Sequence, residues 1–162
     1  MIPAVANPVE FAMNVVLLSL LLAGPMASAA DPASPAPAAQ AVIRNVPVGD
    51  PLRRVLLDTL RPAIENDLGQ PVQFMVDTLR VEDGNWAFFA GRSQQPNGRP
   101  IDFSRTHYKE AMDEGMFDGP ATTALFSYNN GEWRVVYFAV GPTDVPYVGW
   151  QDEFSLPQGL FE

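Results

Sequence analysis

The sequence predicts an α+β domain: one N-terminal helix packed on a curved four-stranded antiparallel sheet, made of two hairpins, with an aromatic strap at the C-terminus. Three observations carry this. Leu52, Val55, Leu56, Leu60, Ala63 and Ile64 recur at the spacing of one helix face. Asp83-Gly84 and Asn130-Gly131 are hairpin turns, each set between runs of strand period. Beyond the second hairpin the chain continues through "GPTDVPYVGW", Gly141 to Trp150, a stretch with enough aromatic area to cover a sheet face.

The helix begins at Asp50-Pro51, where Asp caps free amides and Pro fits the first helical position. Arg53, Arg54, Asp58, Arg61 and Glu65 take its polar side, and Gly69 suits the left-handed residue that ends it. Pro62 lacks a donor and crowds the preceding turn, so a kink or a split is expected there. In the first hairpin Val72, Phe74 and Val76 alternate with Gln73, Met75 and Asp77, with Met75 an apolar excess on the second face, and Leu79 and Val81 carry the apolar positions in the opposite phase. A bulge near Thr78 explains the slip. Trp86, Phe88 and Ala90 open the return strand, and "SQQPNGRP" is a loop.

Asp102 to Phe117 has little periodicity, and within it "SRTHYKEAMDEGMF", Ser104 to Phe117, fits a short helix with Tyr108, Ala111 and Met112 inward. "TTALFSY" and "EWRVVYFAV" form the second hairpin, stopped by Gly141-Pro142. Strict alternation points Trp133, Val135, Tyr137 and Ala139 one way and Val136, Phe138 and Val140 the other. Both sheet faces are therefore apolar, which is unusual unless something covers the second. The tail, the insert helix and another protein chain are the possible covers. The tail, with Val145, Tyr147, Trp150, Phe154, Leu156, Leu160 and Phe161, is the economical one. Leu56, Trp86, Phe88, Trp133 and Tyr137 are the expected core.

The domain plan is a signal peptide over residues 1–29, a Pro/Ala-rich flexible linker over 30–45, and one folded domain over 46–162. "VVLLSLLLA", Val15 to Ala23, is too short an apolar run to cross a bilayer, which takes about 20 residues. A helix breaker and Ala27-x-Ala29 follow it, the pattern of a cleavage site after Ala29 or Ala30. No Lys or Arg precedes the run and Glu10 does; Met13 as the true start would leave the α-amino group as the positive charge. An uncleaved anchor is the alternative. A periplasmic or secreted address follows from cleavage.

Cleavage removes Glu10 and no basic residue, taking the net charge from −9 to −8. With Arg53-Arg54 its densest basic spot, the chain has no patch for nucleic acid or an anionic membrane surface. It has no cysteine, which excludes a disulfide framework, a thiol nucleophile and a cysteine metal site. His107 is its single histidine, so no metal cluster of familiar spacing exists, and "RTHYKE" around it reads as a solvated histidine ahead of a lone acid/base with Arg105 and Tyr108 nearby. "DEGMFDG", Asp113 to Gly119, lacks the alternating ligands of a calcium loop. No cofactor is expected. Asp144, Tyr147, Trp150, His107 and Tyr108 are the candidate ligand or partner residues, and none is assigned a catalytic role.

Helix, hairpin, insert and hairpin, over Asp50 to Val140, is an order that resembles the cystatin-like and NTF2-like α+β rolls. Some NTF2-like members keep an enzyme pocket between helix and sheet; Asp77, Asp102, Tyr108 and Tyr137 are the nearest carboxylates and phenols here. The Gln-x-Val-x-Gly inhibitory loop of cystatins is absent; "QPVQFMV", Gln70 to Val76, departs from it. "LRP", "NWAF", "GRPIDF" and "VGPTDV" resemble segments of exported proteins of Gram-negative bacteria, which implies a periplasmic address and no activity. The sequence reading is an exported protein of binding or structural type. A small-molecule enzyme with an NTF2-like pocket, and an interaction module or homodimer pairing through the second sheet face, are the alternatives.

Overall fold

The computed structural model describes residues 41–162. The expected signal peptide and nearly all of the linker lie outside the described residues. The chain is α+β. Its elements are β1 (Ile43–Asn45), α1 (Pro51–Leu68), β2 (Gln73–Glu82), β3 (Trp86–Gln94), a short helix α2 (Lys109–Asp113), β4 (Ala121–Asn129), β5 (Glu132–Val140) and α3 (Tyr147–Phe154). Single 3-10 turns lie at Phe103–Arg105 and Gln158–Leu160.

The sheet has five antiparallel strands in the order β1-β2-β3-β4-β5, not four. The extra strand lies within the stretch expected to be linker. Three residues are too few for a readable alternation, and it is pairing with Arg80 to Glu82 that makes Ile43–Asn45 a strand.

α1 starts as its sequence dictates. The Asp50 carboxylate accepts the Leu52 amide at 2.9 Å, and Arg44 donates to its other oxygen at 2.7 Å. The amide first and the guanidinium second hold this carboxyl below its ordinary value. Gly69 closes the helix in the left-handed region, donating to the Glu65 carbonyl at 2.8 Å. Pro62 does not split the helix, which runs unbroken from Pro51 to Leu68. The ring is exposed, so the carbonyl of Asp58 that it leaves without a donor sits on the wet side of the helix. The opposite face buries Leu56, Leu60, Ile64 and Leu68, each contributing about 1.5–3 kcal/mol.

Asp50→Ala is expected to lower the midpoint of thermal unfolding by roughly 3–6 °C at neutral pH. A carboxyl with a depressed folded pKa stabilises fully above its unfolded value, and loses that contribution as pH falls through the folded one. The gap between wild type and Asp50→Ala should therefore close in acid, and a gap that persists there would place the effect outside the charged cap.

Two bulges set which residues face which way. β2 slips against β3 between Val76 and Thr78, leaving Asp77 as the extra residue, in agreement with the expected phase change. A second slip, between Leu125 and Phe126 of β4, leaves Val136 as the extra residue of β5. It corrects the strict alternation. Trp133 and Val135 join Phe138 and Val140 under α1, and Tyr137 and Ala139 face the other way. Tyr137 is accordingly not core: it is 39% exposed.

The α1 side is one filled layer in which Leu56, Leu60, Ile64, Phe89, Ala124 and Phe126 have no exposed area. The other face is covered by the tail, as the strap requires. Trp150, Leu156, Leu160 and Phe161 bury themselves on Phe88 and Leu125. The tail is partly helical, with Pro146 just ahead of the first turn of α3. Rings lock it down: Trp150 stacks on Tyr137, Phe154 lies on Trp86, and Tyr147 and Phe161 both reach Phe88. Arg80 donates to the Asn45 side chain at 3.1 Å and to the Gly159 carbonyl, tying the end of the strap to β1 and β2.

Candidate functional site

The strap leaves the far end of its face uncovered. There Met75 of β2 stands opposite Arg92 of β3, and Met75 is 42% exposed. Beyond them β3 gives way to the 95–101 loop, a turn held by its own polar groups. The amide of Gln95 donates to the Arg99 carbonyl, the amide of Gly98 to the Gln95 carbonyl (both 2.8 Å), and the Gln95 side chain to the Pro100 carbonyl at 3.1 Å. The loop bends Pro100 and Ile101 back over the end of β3, where Gln94 bridges to Pro100.

The insert forms the next wall, held from behind by α1 and the connection that follows it. Gln70 clamps Asp102 at two points: its amide nitrogen donates to the Asp102 carbonyl at 2.9 Å, and its amide oxygen accepts the Asp102 N–H at 3.1 Å. Phe103 then turns inward against Phe117 at 4.7 Å and Tyr108 at 6.4 Å between ring centroids. Tyr108 donates its hydroxyl to Asp67 of α1 at 2.8 Å. Burial first, and the Asp67 carboxylate second, raise the Tyr108 phenol well above its ordinary value. It stays a protonated donor and serves as an anchor. His107 lies tilted over Tyr108, 4.0 Å between centroids at 37°, with Nε2 3.7 Å from Asp67 Oδ1.

The result is a groove of about 310 Å³ with Met75, Pro100, Ile101, Phe103 and Pro120 as its apolar lining and Arg92 as its one charged residue among the described residues. Its β3–β4 side is rigid. The hydroxyl of Thr122 donates to the Pro120 carbonyl at 3.0 Å, so in the buried 2.8 Å pair of Ser93 with Thr122 the Ser93 hydroxyl is the donor. The Ser93 amide also donates to the Pro120 carbonyl at 2.9 Å. Arg92 is held loosely by comparison. Its nearest acid is the bulge residue Asp77 at 3.8 Å, and both side chains are more than half exposed.

The five candidate residues separate into two places. His107 and Tyr108 stand behind the groove wall and brace it. Tyr147 and Trp150 are strap residues that fill the second core, and Asp144 is exposed in the turn before α3. Met112, expected inward, is 42% exposed, because α2 is a single turn that turns Ala111 and not Met112 toward the domain. The groove residues Met75, Arg92 and Ile101 escape sequence reasoning, since a 95–101 loop that folds back leaves no periodicity. The one signal was Met75, an apolar residue on the strand face that no helix covers.

Tyr108→Phe keeps the ring on Phe103 and Phe117 but leaves Asp67 without its donor. It is expected to cost about 1 kcal/mol and to speed amide exchange across residues 103–117, with α1 and the sheet unchanged. Exchange unaltered in that segment would mean that the hydrogen bond does not hold the insert.

Among the described residues no helix is long and apolar enough to cross a membrane. Comparison with protein families, with curated proteins and with solved structures finds no match to this chain.

Proposed function

We propose that the chain is an exported domain of non-catalytic, ligand-binding type, acting in the periplasm or outside the cell once residues 1–29 are removed. The groove at the end of the sheet is its site. One observation carries this reading: apolar side chains from β2, the 95–101 loop and the insert converge on one concavity whose wall is pinned to α1 by Tyr108 and to the α1–β2 connection by Gln70. A preformed apolar concavity with a single charge is what a small-molecule site needs.

The cystatin-like or NTF2-like resemblance rests on element order, and a pocket enzyme of that kind is the alternative. It needs open space between helix and sheet with a carboxylate or phenol reaching inward. Leu56, Leu60, Ile64, Phe89 and Phe126 occupy that space, while Asp77 and Asp102 are exposed. A second reading, pairing with an envelope protein or another copy, has one observation in its favour. Val145, Val148 and Tyr137 leave 39–56% of their area exposed on and beside α3.

Small apolar fragments, screened by NMR against the intact mature protein, should shift the Met75 and Ile101 methyl signals before any others. Shifts confined to Val145, Val148 and Tyr137 would move the site to the strap. A screen that moves neither group would leave a structural domain.

A further inference from the structure

The groove's chemistry is asymmetric. Its lining carbon comes from Met75, Pro100, Ile101, Phe103 and Pro120, and its one formal charge is the Arg92 guanidinium. Among the described residues Arg92 has no tight partner: the Asp77 carboxylate stands 3.8 Å away, with side chains 52% and 59% exposed. An ion pair that loose and that wet is worth little, so a better-placed anion displaces Asp77 at small cost. A guanidinium fork matches a carboxylate at two points, which a hydroxyl or an amine does not.

Resting on the reading of the groove as a ligand site, we infer that it takes a small monocarboxylate amphiphile, its hydrocarbon part on Met75, Ile101 and Phe103 and its carboxylate on Arg92. The charge of the whole chain, −9, sharpens the inference. It repels anions from the surface in general, so anion affinity in this protein has to be local. The volume, about 310 Å³, is at the small end of ligand pockets, which suits a short acyl chain rather than a long lipid.

The test uses octanoate, 1-octanol and octylamine as probes, titrated into the mature protein and followed at the Met75 and Ile101 methyls. Octanoate is expected to bind tightest and octylamine weakest. Shortening the chain to hexanoate should weaken binding by about fourfold per methylene lost. Arg92→Gln should weaken octanoate about tenfold or more and leave 1-octanol unchanged; unaltered shifts in α1 verify that the variant is folded. Arg92→Lys, which keeps the charge and loses the fork, should fall between the two.

Equal binding of octanoate and 1-octanol, indifferent to Arg92→Gln, would overturn the carboxylate while leaving the groove as a site for apolar ligands. If none of the three probes moves the groove methyls, both the inference and the reading beneath it fail. Methyl shifts that follow protein concentration without any probe would make a second copy the occupant and overturn the inference as well.

Discussion

A chain that stops at Gly141 is expected not to fold. The segment from Pro142 to Glu162 contributes Trp150, Leu156, Leu160 and Phe161 to the second core, each less than a tenth exposed. Burying one such side chain is worth about 1.5–3 kcal/mol. Four of them together are comparable to the 5–15 kcal/mol that separates a folded domain from its unfolded chain. The truncation also uncovers Phe88 and Leu125 in the middle of the sheet. Far-UV circular dichroism and a dye for exposed apolar surface should report a collapsed or aggregated chain. Leu160→Ala in the full chain is the milder form, with an expected loss of about 2–5 kcal/mol. A truncated protein melting within a degree or two of wild type would show that the strap is not core, and would send the search for a ligand site back to Tyr147 and Trp150.

The second large effect is expected from Gly91→Ala. This residue of β3 stands opposite Val76, immediately before the Asp77 bulge, and is buried. A Cβ built on it meets the main-chain carbonyl oxygen of Met75 and the tip of the Phe89 ring. The ring has nowhere to go in a filled layer, and the carbonyl belongs to the partner strand, so relief means loss of register between β2 and β3. Overpacking of this kind costs about 3 kcal/mol or more; for a domain of this size, that lowers the unfolding midpoint by roughly 10 °C. Gly149 is the internal control. It lies inside α3, exposed, with nothing near its would-be Cβ. Gly149→Ala should raise stability by about 0.5–1 kcal/mol. If both substitutions act alike, the close approach of the strands at Gly91 is not what sets the cost.

The parts legible in the sequence were those where local chemistry and tertiary position agree. Asp50-Pro51 and Gly69 bracket α1 because caps and breakers act within one turn. The Asp77 bulge was legible because apolar residues change phase across it. The Val136 bulge was not, because β5 is apolar in both phases and a slip leaves no mark. β1 owes its existence to a partner strand and not to its own three residues. α3 was hidden by Pro142, Pro146 and Gly149, which read as an extended strap, although Pro146 sits where a proline suits the start of a helix. Of the candidate positions, Tyr108 bonds Asp67 of α1, Trp150 is buried in the second core and Tyr147 packs against it. The groove depends on the fold-back of the 95–101 loop, and no residue within that loop announces it.

Arg80 joins Asn45 and Gly159, so the first strand of the domain and the last turn of the strap are fastened at one point. This has a consequence in time. A chain that emerges from its N-terminus releases β1 to β5 before Leu160 and Phe161 arrive. Until then Phe88 and Leu125 have no cover, and the sheet lacks the burial that holds it folded. Closing that face waits on a contact between segments far apart in sequence, which is slow, and an intermediate with one bare apolar face is the kind that associates with its neighbours. The interval between the two events is where a holding chaperone would act on this protein, and slowing the release of the last twenty or so residues would lengthen it.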